Sequence, residues 1–186
     1  MRKIPTLFVR DFTEPSNGRW VTHEVTPGCE WVLAGEGRAT RKWDGTCVRF
    51  DDQGWWCRRE VKPGKTPPDG WWEVDHDDTT GKRVGWEPAE QSGFAKFLAE
   101  AIEGLTFAPG TYELCGPKIN GNPEGQTRHV LFPHGDFVLV VAPRGYDGLR
   151  DYLLLHTFEG IVWHHPDGRM CKLKRRDFPP VSEEST

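Results

Sequence analysis

One stretch of this chain repeats its apolar residues with a helical period: Phe94, Phe97, Leu98, Ala101 and Ile102 recur at three- and four-residue spacing. Pro88 suits a first helical turn and Gly104 a C-terminal stop, so a helix is predicted over 88–104. The other long runs read as strands. Residues 46–50 and 55–61 are strand-like and flank Asp51-Asp52-Gln53-Gly54, a hairpin signal. Residues 111–115 and 137–142 are further predicted strands. Residues 62–87 are rich in Pro, Gly, Asp and Trp and read as an ordered surface excursion, because tryptophans rarely decorate a disordered loop.

Near the C-terminus, Pro166-Asp167-Gly168 separates two strand-like runs and marks a second hairpin. With Asp167 and Gly168 as a two-residue loop, Trp163 faces Lys172 and Ile161 faces Lys174. Strand residues share a face at every second position. Glu159 then lies on one face with Lys172 and Lys174, and a carboxylate and two ammonium groups converge. A register slip of one residue would undo this arrangement.

Composition narrows the picture. Fifteen prolines, 21 glycines and nine tryptophans in 186 residues favour short strands and many turns. The length suits one domain with a real core, expected over 1–178, with 179–186 as a flexible tail. No apolar run approaches the ~20 residues that span a membrane. No signal-peptide pattern opens the sequence, so a cytoplasmic location is expected. The cysteines Cys29, Cys47, Cys57, Cys115 and Cys171 form no C-x-x-C pair and read as free thiols. The net charge of -4 excludes a general polycation, yet basic residues crowd two places. One is Arg38, Arg41, Lys42 and Arg49, followed by Arg58 and Arg59. The other is Arg169, Lys172, Lys174, Arg175 and Arg176.

Both basic groups fall on chemically suggestive motifs. Lys42-Trp43-Asp44-Gly45 has the form Lys-x-Asp-Gly, which chance alone produces in about 4% of chains this long. Its value comes from the motifs that succeed it along the chain: Glu159-Gly160-Ile161-Val162, then Lys172-Leu173-Lys174. A lysine nucleophile must lose a proton from an amine whose free pKa is ~10.4. Nearby positive charge from Lys172, Lys174 and a bound metal would favour that loss and would also neutralise a triphosphate. Glu159 is a candidate metal ligand, Glu113 a candidate acceptor for ribose hydroxyls, and Gly45 permits close backbone approach. His164 and His165 are neighbours on a strand and point apart, so they do not share an ion.

With Tyr112-Glu113-Leu114-Cys115-Gly116, Asn120-Gly121-Asn122-Pro123-Glu124-Gly125 and Phe132-Pro133-His134-Gly135 added, these motifs run from residue 42 to 174. Together they resemble the covalent nucleotidyltransferases of the ligase and capping-enzyme superfamily, and more closely the small cellular 5′–3′ RNA ligases. The resemblance implies an α+β fold, a nucleotidyltransferase (adenylation) domain of antiparallel β-sheets flanked by helices. It implies ATP and Mg²⁺ (or Mn²⁺) as cofactors and, as partner, RNA with 5′-phosphate and 3′-hydroxyl ends. Lys42 is then the AMP acceptor. Asp44, Gly45, Arg58, Glu113, Glu159, Lys172 and Lys174 form the nucleotide site, with Glu159 and Glu113 toward the metal. Arg59, His134, Arg175 and Arg176 are candidate RNA contacts. The stretch after Lys174 is too short for an appended OB-fold domain, so none is expected. A GTP-using capping guanylyltransferase and a DNA ligase both ordinarily need more chain. A non-catalytic nucleotide- or RNA-binding module is the alternative that predicts binding without a covalent adduct.

Overall fold

A computed structural model describes residues 2–78 and 80–180. In chain order the elements are β1 (Phe8–Arg10), β2 (Val21–Val25), α1 (Glu30–Leu33), β3 (Arg38–Lys42), β4 (Thr46–Asp51), β5 (Gly54–Val61), β6 (Trp72–Asp77), β7 (Lys82–Pro88), α2 (Ala95–Ile102), β8 (Gly110–Cys115), β9 (Val130–Pro133), α3 (Tyr146–Leu155), β10 (Gly160–His164) and β11 (Met170–Lys174). Among the described residues these strands pair antiparallel, with one isolated parallel bridge from Thr6 to Lys172, and the helices are few, which makes the fold α+β. Residues 181–186, most of the expected tail, lie outside the described residues. The chain divides into two compact units.

The first unit comprises Trp43–His134 with the start of the chain up to Lys3. Its six strands run in the order β6-β7-β5-β4-β8-β9. The predicted hairpin is present: Asp51 pairs with Gly54 across Asp52-Gln53. One face of the sheet packs Val48, Cys57, Tyr112 and Leu114 against Leu98 and Ala101 of α2. Directly paired antiparallel residues share a face. The opposite face therefore carries Trp72, Trp86 and Arg58 in one row, Arg49 with Trp56 in the next, and Cys47, Glu113 and Phe132 in a third.

Two expectations for this unit change. Residues 62–87 include two strands, since β6 and β7 extend the sheet. The prolines and most of the glycines of that stretch lie outside those strands, Gly85 sits within β7, and Trp86 on β7 is fully buried. The helix predicted over 88–104 is shorter. Ala89–Gln91 forms a 3-10 turn, Ser92 is extended (ψ 150°), and α2 begins only at Ala95. Ser92 accepts a bond from the Phe94 N–H through its hydroxyl, a local bond that competes with helix.

The second unit comprises Ile4–Lys42 with the chain from Gly135 onward. It holds the two-stranded sheet β1-β2 and the three-stranded sheet β11-β10-β3. Leu7, Phe8, Trp31, Val32, Leu149, Leu153, Ile161, Trp163 and Leu173 form its core. Leu149 and Leu153 are one turn apart on α3, which gives that helix its buried stripe. Residues 137–142 are not a strand. Arg41 N–H donates to the Phe137 carbonyl (2.8 Å), Leu139 N–H donates to the Ala39 carbonyl (2.9 Å), and a single bridge joins Thr40 to Val138. The segment then turns away, leaving Val140 and Val141 88% and 82% exposed. An apolar sequence without a second strand or a buried face to meet does not extend as a strand.

The C-terminal hairpin is shifted by one residue from the expected register. His165 N–H donates to the Arg169 carbonyl (2.9 Å), so the loop has three residues, Pro166-Asp167-Gly168. Val162 consequently pairs with Lys172 and Gly160 with Lys174.

Candidate active site

The new register puts Gly160 at the centre of a triplet. On the middle strand it pairs with Lys42 of β3 on one side and Lys174 of β11 on the other. Lys42, Lys174 and Lys172 share the sheet face opposite Ile161, Trp163 and Leu173, the core-facing residues. A Cβ on Gly160 would collide with the Leu173 carbonyl and lie 2.8 Å from Lys174 Cα. A bare position between the two lysines is therefore a steric requirement.

The preceding residue, Glu159, supplies the charge the lysines share. Its Oε2 lies 2.5 Å from Lys42 Nζ and its Oε1 2.5 Å from Lys174 Nζ. The Arg175 N–H donates to the Glu159 carbonyl (2.8 Å) and fixes the backbone there. Burial alone would raise the Glu159 carboxyl. The positive charges of Lys42 and then Lys174, with their hydrogen bonds, overcome burial and hold it below its ordinary value. Glu159 and Lys174 thus meet as expected, although the pairing that brings them together is not the expected one. Arg41, beside Lys42, lays its guanidinium 5.6 Å from the centre of the Phe158 ring. Arg175 and Arg176 lie exposed on a 3-10 turn just after β11. Arg176, Arg10, Arg19 and Asp177 line an open cleft of about 440 Å³. Arg10 donates to the Asp177 carboxylate there at 2.8 Å.

In the other unit, the loop after Lys42 is held from three sides. Gly45 N–H donates to Glu113 Oε1 (3.1 Å), and Asp44 N–H donates to Glu124 Oε1 (2.9 Å). Asn120 donates through Nδ2 to the Gly45 carbonyl (2.7 Å) and to Asp44 Oδ1 (3.3 Å). Trp43 stacks on Phe132 with centroids 3.8 Å apart and planes 6° from parallel. A Cβ on Gly45 would strike the Leu114 carbonyl and lie 2.9 Å from Glu113 Cγ, so Gly45 lets this loop lie against β8. Asn120 and Glu124 had no role from sequence. Their signal was the Asn-Gly-Asn run, since Asn120 and Asn122 both take positive φ (48° and 60°), which asparagine tolerates.

Glu113, buried on β8, receives His134 as well: His134 Nε2 lies 2.8 Å from Glu113 Oε2 and Nδ1 3.0 Å from Thr111 Oγ1. Arg58 lies on the Glu113 face of the sheet, two strands away. Arg59 points to the other face, where its guanidinium is 3.7 Å from the buried Glu87 carboxylate. Arg58 and Arg59 are thus separated by the alternation of the strand.

No protein-family model matches the chain. Curated proteins match it in part. RNA ligase 1 of Pongo abelii is 40% identical over 99 residues, covering 46% of this chain and 29% of that protein. Over that stretch the chain is similar to RNA ligase 1. The Mus musculus RNA ligase 1 is 40% identical over 78 residues, covering 35% of this chain and 23% of its own length. The Danio rerio RNA ligase 1 is 29% identical over 135 residues, covering 57% and 39%. The matches therefore span well under half the length of these RNA ligase 1 proteins. Among the described residues, no helix is long and apolar enough to cross a membrane.

Proposed function

We propose that this chain is an ATP-dependent RNA ligase with a nucleotidyltransferase fold, working through a lysyl-AMP intermediate in the cytoplasm. The observation that carries the reading is the shared carboxylate: Lys42 and Lys174 amines each 2.5 Å from Glu159. A lysine poised against an acid, with a second lysine beside it, suits phosphoryl chemistry better than a surface ion pair does. The partial similarity to RNA ligase 1 supports the same reading.

In the first step, Lys42 Nζ attacks the α-phosphorus of ATP. A P–N bond forms, the bond to the bridging oxygen breaks, pyrophosphate leaves, and the amine proton passes to solvent. Lys42 must first give up its ion pair with Glu159 and release one proton to solvent, so that a neutral amine attacks. Lys174 and Lys172 then face the triphosphate as cations. In the second step an RNA 5′-phosphate oxygen takes the AMP, the P–N bond breaks, and Lys42 regains a proton. In the third, an RNA 3′-hydroxyl attacks that phosphate and AMP leaves. Glu159, ionised and an oxygen donor, fits Mg²⁺ as a ligand, and the ion would stabilise charge developing on the phosphates. Asp44, Gly45 and Arg58 belong to the nucleotide site in this reading, and Glu113 accepts from ribose hydroxyls. Arg175, Arg176 and His134 are the RNA-facing groups.

The test is end joining. RNA bearing a labelled 5′-phosphate and a free 3′-hydroxyl is incubated with the protein, ATP and Mg²⁺. Joined or circular product, with an adenylated 5′ end as its precursor, is expected. Recovery of unchanged RNA from protein that does adenylate itself would refute the ligase assignment and leave a different AMP acceptor.

A further inference from the structure

One group of side chains on the face of the six-stranded sheet opposite α2 has a metal-binding chemistry the ligase reading does not need. Cys47 of β4 pairs directly with Glu113 of β8, and His134 follows β9, the next strand. Cys47 Sγ, a Glu113 carboxylate oxygen and a His134 ring nitrogen all lie within 4.8 Å of one another. Hard cations such as Mg²⁺ prefer all-oxygen sites; a thiolate, an imidazole and a carboxylate together suit a borderline-soft ion. We propose that Cys47, Glu113 and His134 form a binding site for a thiophilic divalent cation of the Zn²⁺ class, with a fourth position open.

The geometry is close to what such an ion needs. Tetrahedral bonds of about 2.0–2.3 Å hold ligand atoms roughly 3.3–3.8 Å apart, so side-chain shifts on the order of 1 Å suffice. The hydrogen bonds that would orient two of the ligands are already present. Thr111 Oγ1, 3.0 Å from His134 Nδ1, can accept its proton and leave the Nε2 lone pair toward the site. Gly45 N–H holds Glu113 Oε1, so Oε2 is the oxygen that turns to the ion. At 2.8 Å, Nε2–H can donate to Oε2 in the ion-free protein. The cation takes that proton's place. The imidazole proton moves to Nδ1, and the Cys47 thiol releases one proton to solvent as it becomes a thiolate. Binding therefore strengthens as pH rises. Resting on the proposed ribose contact of Glu113, ion and nucleotide exclude each other.

Titration with Co²⁺ tests the site without any activity. Stoichiometric binding with a near-ultraviolet thiolate-to-cobalt band and tetrahedral visible absorption is expected, with both displaced by Zn²⁺. Cys47→Ser removes the thiolate band, and His134→Gln weakens binding at least tenfold while thermal unfolding shows both variants folded. No thiolate band in folded wild-type protein, or a band that survives Cys47→Ser, overturns the site. Saturating ATP is expected to displace the Co²⁺. A band that persists with bound ATP overturns the exclusion, and with it the ribose role of Glu113, independently of the metal site.

Discussion

Replacing Glu159 with Gln removes one charge and almost no volume, so it isolates the electrostatics of the lysine pair. The Glu159 side chain is 9% exposed, and those of Lys42 and Lys174 are 19% and 15% exposed. Without the carboxylate, two ammonium groups remain on one half-buried face with a single neutral amide between them. Removing one member of a buried ion pair costs about 3–5 kcal/mol; residual solvent screening at these lysines reduces that to about 2–4 kcal/mol. For a chain of this size a loss of about 3 kcal/mol lowers Tm by about 6–12 °C. The gap also depends on pH. Because its folded-state pKa is depressed, the Glu159 carboxylate contributes its full stabilisation above its ordinary value of 4.5. That contribution is lost as pH falls below 4.5 through the folded value, where protonated Glu159 resembles Gln. Urea unfolding of wild type and Glu159→Gln at pH 7, repeated at falling pH, measures both effects. Wild type should be the more stable at pH 7 and the two should converge in acid. A difference below about 0.5 kcal/mol at pH 7, the scatter of ordinary surface changes, would refute the reasoning. So would a larger difference that does not change with pH.

Other expectations rest on single positions. Trp43 is 8% exposed and stacked on Phe132, so Trp43→Ala should cost about 3–5 kcal/mol in urea unfolding, and a cost below about 1 kcal/mol would deny the stack its role. Gly160→Ala forces a Cβ against the Leu173 carbonyl and should cost about 1–3 kcal/mol or more, whereas Gly93→Ala, with nothing within 4 Å, should be neutral or gain up to about 1 kcal/mol; equal Tm values for the two variants would contradict the crowding. His165 is held above its ordinary pKa of 6.5, first by the hydrogen bond to Glu36, which outweighs burial, and then by Asp167. Its stabilisation is complete below pH 6.5 and is lost as pH rises through the folded value, so NMR should show His165 titrating above 6.5 and Glu36→Gln should bring it down.

How much of the structure was legible in the sequence differs from element to element. The hairpin of β4 and β5 was, because Asp51-Asp52-Gln53-Gly54 leaves a short turn between two runs of strand formers. The helix was found, but its start was not: Ser92 competes for the backbone through its hydroxyl, a choice apolar spacing does not encode. The run from Phe137 failed as a strand because pairing depends on a neighbour, and past Leu139 it has none in its sheet. In the C-terminal hairpin the turn was visible in Pro166-Asp167-Gly168 but its length was not, and one residue changes every partner. Glu159 still reaches Lys174 because it lies just before β10, outside the pleat that the slip inverts. Motif order brought Lys42, Glu159 and Lys174 to notice, and geometry adds why Gly160 stands among them. Asn120 and Glu124 act through backbone groups of Asp44 and Gly45, contacts between distant segments that spacing along the chain does not encode.

The central claim is that Lys42 becomes covalently adenylated. Label transfer tests it most directly: folded protein, shown by intact mass to be free of bound nucleotide, is incubated with α-labelled ATP or GTP and Mg²⁺, then denatured. Label from ATP that stays with the wild-type chain and is absent from Lys42→Ala is the expected result. Label from GTP alone would contradict the ATP assignment, and no label from either nucleotide would contradict the lysyl-AMP mechanism itself.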